Sequence, residues 1–149
     1  MEELNHESWD FIAINTVKEG YDFGFITEKE WINIDNKLLL SKKDNKKVVL
    51  IMHHPPFPVG TPLIDDYILK NGEDLLKKFF EYKNIELIIC GHAHGDYQFN
   101  YHDVNIEVAP ATCFQFKKGT LDVTVETRSG YRIFDFKRED YTSKTIFIF

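Results

Sequence analysis

The chain has 149 residues, with 18 Lys+Arg against 24 Asp+Glu for a net charge of −6, a size that fits one domain with a real core. Hydrophobic residues at 43% and charged residues at 28% exclude global disorder, and the acidic balance argues against non-specific binding of nucleic acid or an anionic membrane, both of which reward dense Lys/Arg patches. Two cysteines, Cys90 and Cys113, make no disulfide framework, no apolar stretch reaches membrane-spanning length, and Met1 to Asp10 lack a signal-peptide pattern, so a single cytoplasmic unit is expected.

The run Trp9 to Thr16 reads as a buried strand followed by a Gly-containing loop. Thr27, with Glu30 three residues on, forms a capping box that opens a helix carrying Trp31, Ile34, Leu38 and Leu39 on its apolar side. Lys42, Lys43, Lys46 and Lys47 suit its C-terminal end. Val48 to Met52 is a near-continuous apolar run, the pattern of a strand covered on both faces. Pro55, Pro56, Pro58 and Pro62 then impose a loop. Asn71 is expected to cap a second helix, with Glu73 and Asp74 in its first turn, Leu75, Leu76, Phe79 and Phe80 inside and Lys83 near its end. Ile85 to Cys90 is a second buried strand, and the strand–helix–strand order predicts a parallel pair with a right-handed crossover.

From Tyr97 onward the pattern changes to short strands: Tyr97–Tyr101, Asn105–Val108, Leu121–Glu126, Tyr131–Phe136 and Thr145–Phe149. Asp103 and Ser129-Gly130 are the expected turns. The apolar end, Ile146 to Phe149, is expected to be docked. Aromatic residues make up 15% of the chain, so much ring surface has to be buried within the molecule or against a partner.

The histidines are grouped. His53 and His54 follow the first apolar strand, and His92 and His94 follow the second. Carboxyl ends of parallel strands are where ligands bind in open α/β sheets, so the four rings would meet at one sheet edge. Imidazole suits zinc, manganese and iron, and two such pairs together point to metal binding more strongly than either alone. Loop packing beside prolines, or turn chemistry after Gly91, is the alternative for each pair. His6 and His102 lie in polar stretches and read as solvated.

Taken in order, His53-His54-Pro55-Pro56, Gly91-His92-Ala93-His94 and Ala109-Pro110-Ala111-Thr112-Cys113-Phe114-Gln115-Phe116 resemble the calcineurin-like metallophosphoesterases, most of all the class III cyclic nucleotide phosphodiesterase branch. Pro58, Gly60, Asp65 and Asn71 agree with the loop of that branch, and Asn15 stands where its preceding strand usually has Asp. The resemblance covers nearly all of the chain. It implies an α/β fold, a portion of a four-layer α/β/β/α sandwich, with residues 1–149 as the C-terminal part of a single phosphoesterase domain. It implies that His53 and His92 ligate one metal and His94 the other. His54 would stand behind the ligands or near the substrate, and Thr112 and Cys113 would line the rim. In the complete family site two divalent ions, manganese, iron or zinc, share a bridging hydroxide that attacks a phosphodiester in line.

The resemblance also implies an N-terminal half bearing Asp-x-His, Gly-Asp and Gly-Asn-His-Asp/Glu, which supply a bridging carboxylate and the remaining ligands. No such pattern occurs here, and Asn5-His6-Glu7 matches only the tail of the third. Three neutral imidazoles without that carboxylate hold at most one ion weakly. The chain is therefore expected to be inactive alone, to need its missing half or a second protomer, and to expose apolar faces of Val48–Met52 and Ile85–Cys90. A homodimer follows as a possibility from the same surface. Two other readings stand beside this one. One is a non-catalytic remnant binding a single metal or a protein partner. The other is a metallo-β-lactamase-type hydrolase, from His92-Ala93-His94-Gly95-Asp96, although Tyr97 replaces that motif's next His. Cys90 and Cys113 read as inert packing, and Lys117-Lys118 as a solvated pair.

Overall fold

A computed structural model describes residues 6–149, apart from the side chain of Phe79. Five strands form the main sheet: β1 (Trp9–Ala13), β2 (Lys47–Ile51), β3 (Ile85–Cys90), β4 (Tyr97–Tyr101) and β5 (Val104–Val108). Their order is β1-β2-β3-β5-β4. β1, β2, β3 and β5 run parallel, and β4 closes the edge antiparallel to β5. The helices α1 (Glu28–Lys43), α2 (Pro62–Asp65) and α3 (Gly72–Glu81) lie in the crossovers before β2 and β3. A short pair, β6 (Gln115–Phe116) with β7 (Val125–Glu126), precedes a long hairpin of β8 (Ser129–Phe136) and β9 (Tyr141–Ile148). The result is a mixed α/β fold in three layers: helices, main sheet, hairpin.

Both faces of the sheet are covered, which corrects the expectation of exposed strands. On one face Ile12, Val48, Leu50, Ile88 and Ile106 pack with Ile34, Leu38, Leu75 and Leu76 from the helices. On the other, Trp9, Val49 and Leu87 pack with Phe134, Phe136 and Tyr141 from the hairpin. Val48, Val49, Leu50, Leu87 and Ile88 are fully buried. The cover comes from aromatic residues far downstream in the sequence, a pairing that no local pattern announces.

Local chemistry explains most element ends, with instructive exceptions. The Thr27 hydroxyl accepts the Glu30 N–H at 3.3 Å, but the Glu30 carboxylate leaves the capping box to accept the Asn15 N–H at 3.0 Å. Asn71 is not a side-chain cap: its amide clips Ile26, accepting from the N–H at 3.0 Å and donating to the carbonyl at 2.8 Å. Gly72 is required there, because a Cβ would fall 1.9 Å from the Pro56 carbonyl oxygen. Leu39, Phe80 and the terminal Phe149 are exposed, contrary to expectation. Ser129-Gly130 is no turn but the start of β8, and Leu121–Val123 is not strand. No helix among the described residues is long and apolar enough to cross a membrane.

Trp9 ties the hairpin to the sheet. It is fully buried, its indole N–H donates to the Lys137 carbonyl at 2.6 Å, and its ring meets Phe136 edge-on at 5.2 Å. Trp9→Ala is expected to lower unfolding stability by about 3–5 kcal/mol, the usual cost of emptying a buried aromatic site. Urea denaturation checks this, and a loss below about 1 kcal/mol would show that the hairpin does not rest on Trp9.

Candidate metal centre

Three loops leave adjacent parallel strands at their carboxyl ends. The sheet's hydrogen bonding continues into them: Met52 N–H to the Ile89 carbonyl at 3.0 Å, Gly91 N–H to the His53 carbonyl at 3.0 Å, and Ala109 N–H to the Cys90 carbonyl at 2.8 Å. This pins the His53-His54 loop, the His92-His94 loop and the Ala109–Phe116 loop side by side. His53, His54 and His92 thereby form a group whose possible donor atoms all lie within 4.8 Å of one another.

The three rings are not equivalent. His54 is buried, with Nε2 3.1 Å from the Asp22 carbonyl and Nδ1 2.8 Å from the Thr16 hydroxyl. A carbonyl only accepts, so in the neutral ring Nε2 carries the proton and Thr16 donates to Nδ1. Both nitrogens are occupied. Gly24 makes room for this ring, since a Cβ there would lie 2.6 Å from His54 Cγ and Nδ1. His53 is exposed at the mouth of the group, and its Nε2 stands 3.2 Å from Nδ1 of His92. The Nε2 of His92 is buried without a hydrogen-bond partner.

His94 stands apart from that group. Its Nδ1 donates to the Phe114 carbonyl at 3.1 Å, which leaves the Nε2 lone pair free, and its ring is flanked by Phe114 and Phe116 at 4.7 and 5.2 Å. His92 and His94 both adopt left-handed backbone, with φ of 65° and 42°, a conformation that non-glycine residues rarely hold unless their surroundings impose it. Thr112 and Cys113 are exposed in the neighbouring loop, and Cys113 Sγ is 3.9 Å from His94 Nδ1. Cys90 is buried, and burial pushes its thiol far up. Asp96, the acid of the metallo-β-lactamase reading, is engaged with Arg132 and Thr145. Asn5 lies outside the described residues, and His6 Nδ1 accepts the Ser8 N–H at 3.2 Å.

Burial and crowding keep these imidazoles neutral. Burial, then the charges of His54, His53 and His94, push His92 down to about 4, with the Tyr67 backbone opposing. His53 is lowered by burial and then by His94. His54 is lowered by burial and then by His53, with the Asp22 carbonyl opposing. Neutral imidazole is the metal-binding form. Two nitrogens bound to one tetrahedral ion through bonds of about 2.0–2.1 Å stand about 3.3 Å apart, close to the His53–His92 spacing. The residues fit an ion's partial shell, and His94, held through Nδ1 by a carbonyl, has the arrangement usual for a metal-binding His. No carboxylate belongs to the group among the described residues.

Sequence reasoning missed the supports. Thr16 and Asp22 hold His54, and Gln115 is a buried hub that takes the Ala111 N–H at 3.1 Å while donating to the carbonyls of Ala111 and Arg128 at 2.7 and 3.1 Å. A glutamine between two phenylalanines is the one signal that could have marked the latter.

The family model of the calcineurin-like phosphoesterases matches residues 4–96. A probable cyclic nucleotide phosphodiesterase of Coxiella burnetii is 38% identical over 125 residues, covering 84% of this chain and 50% of that protein. Another of Xenorhabdus bovienii is 33% identical over 134 residues, covering 90% of this chain and 53% of that protein. The chain thus spans about half the length of these relatives. A dimetal phosphatase from Danio rerio shares the fold, with a TM-score of 0.52 and 19% identity over 58% of this chain and 27% of its own.

The depressed histidines make stability depend on pH. With His92 near 4 in the folded chain against an ordinary value of 6.5, the unfolded state binds more protons between those values, so stability rises with pH across the window. The contribution is present above 6.5 and is lost as pH falls toward 4, and His53 and His54 act in the same direction. Urea midpoints of the metal-free chain are expected to drop between pH 7.5 and pH 5. A shallower profile in His92→Gln than in the wild type would trace part of the effect to this ring, while a flat wild-type profile would refute it.

Proposed function

This chain belongs to the calcineurin-like phosphoesterase family, and from that premise we propose that its strand-end loops form part of a metal-dependent phosphodiesterase site. His53 and His92 would hold one ion and His94, through its free Nε2, the other. The observation that carries this reading is the 3.2 Å approach of His92 Nδ1 to His53 Nε2, close to the spacing of two nitrogens on one tetrahedral ion.

Divalent ions of this kind, manganese, iron or zinc, polarise phosphoryl oxygens and lower the pKa of water. The chain's own residues do the positioning. Phe114 fixes the His94 tautomer through its carbonyl, and Thr16 with Asp22 locks His54 as a wall behind His53 and His92. Thr112 and Cys113, exposed in the neighbouring loop, would line the rim on the substrate side. The names of the bacterial relatives favour a cyclic nucleotide as the phosphodiester. In a chain of net charge −6, attraction for that anion has to come from the ions.

Holding two cations together also needs negative donors, and the histidine group contains none. Those donors would come from outside the histidine group, from the rest of a longer phosphoesterase domain of which this is the C-terminal part, or from a partner protomer. The same shortage favours a second reading, a chain that binds a single ion without catalysis.

Hydrolysis of bis(p-nitrophenyl) phosphate with added manganese separates the two readings. The chain alone is expected to bind manganese and turn over little, with binding weakened in His53→Ala and His92→Ala. The N-terminal half of a relative, added in trans, is expected to restore turnover that His94→Ala abolishes. Restored binding without turnover would establish the single-ion reading, and binding indifferent to all three histidines would overturn both.

A further inference from the structure

The segment Gly91–Asp96 carries two histidines in left-handed backbone, and a loop in that conformation relaxes unless something outside it holds its far end. β3 anchors the near end. The far end runs into β4, paired to β5, and is held further by Asp96, whose carboxylate accepts from the Arg132 guanidinium and from the Thr145 hydroxyl at 2.9 Å. Arg132 comes from β8, on the opposite layer. Its side chain is 1% exposed, it also pairs with Glu107 on β5, and its Nε donates to Thr145 at 3.0 Å. The Tyr141 hydroxyl occupies the other Glu107 oxygen at 2.8 Å. One guanidinium therefore bridges the sheet, the hairpin and the histidine loop, a task for its planar fork and not for a lysine.

The same strand supports the second wall of His94. Gly130 N–H donates to the Ala111 carbonyl at 2.8 Å, and Gln115 reaches the Arg128 carbonyl at 3.1 Å. These bonds fix the loop whose Phe114 carbonyl receives His94 Nδ1–H. His94 is thus framed by two loops, each moored to β8.

We propose that Arg132 is a positioning residue for metal binding, acting through Asp96 to hold the His92–His94 segment in its ligand-presenting conformation. It touches no donor atom. The inference rests on the assignment of His92 and His94 to metal given above, but its geometric part can be read without any ion.

Asp96→Asn keeps the shape of the contact and removes its charge. Glu107→Gln does the same to the other carboxylate on Arg132, which faces the sheet and not the loop, so it serves as the control for a merely structural role. Two measurements apply to the intact chain: the affinity for zinc or manganese by titration, and the nitrogen-15 signals of the His94 and His92 rings in the metal-free protein. Asp96→Asn is expected to shift the His94 ring signals and to weaken metal binding by about 10- to 100-fold, the range usual for groups behind metal ligands. Glu107→Gln is expected to leave both near wild type even where its urea midpoint falls as far. Equal effects of the two variants, tracking stability alone, would overturn the proposal. So would an unchanged His94 ring in Asp96→Asn. If the wild-type chain bound no metal, the functional reading would fail, while the ring signals would still decide whether Asp96 and Arg132 position the loop.

Discussion

Three backbone hydrogen bonds just beyond the strands govern this molecule: Met52 to Ile89, Gly91 to His53 and Ala109 to Cys90. Each is an ordinary sheet bond displaced past the last paired residue. Together they forbid the loops after β2, β3 and β5 from separating, whatever their sequences. A residue placed one or two positions after any of these strands therefore lands within reach of residues so placed on the others. The position of the histidine group follows from this register more than from any attraction among the rings, which repel once charged.

The electrostatics follow the same economy. Carboxylates and imidazoles are kept apart within these residues: Asp96 and Glu107 are consumed by one buried guanidinium, and the histidine group holds no acid. Neutral rings packed without counter-charges are an unsatisfied arrangement, stable only because burial and crowding discourage protonation. The polar bonds that do reach the group go to hydroxyl and carbonyl oxygens, which orient rings without supplying charge. Orientation is thus provided within these residues, and charge is not.

Much of the fold was legible because it is written locally. The apolar runs at Val48–Met52 and Ile85–Cys90 and the Thr27 cap all form as their patterns indicate, and the strand–helix–strand order does give a parallel pair. The grouping of His53 with His92 follows from that pair alone. What could not be read depends on contacts distant in sequence. Gly130 looked like a turn residue, yet it sits in β8, where a Cβ would press to 2.8 Å from Phe147 and 3.0 Å from Pro110. Asn71 looked like a cap, yet its amide is spent on Ile26, forty-five residues away. The hairpin that buries Val49 and Leu87 carries its aromatic residues on alternate positions among charged ones, a pattern equally suited to an edge strand in solvent. His94 was expected beside its neighbours, and left-handed backbone turns it toward Phe114 instead.

The two thiols differ in a way that gives this protein a built-in chemical handle. Cys90 is sealed inside β3 with its thiolate suppressed by burial, whereas Cys113 is open to solvent with its sulfur 3.9 Å from a nitrogen of His94. An alkylating reagent applied to the native chain therefore meets a single address, on the rim of the histidine loops, with no residue to be introduced or removed. A fluorophore or spin label attached there would sit beside the His94 ring and report on its surroundings. A bulky adduct at the same atom would crowd that ring.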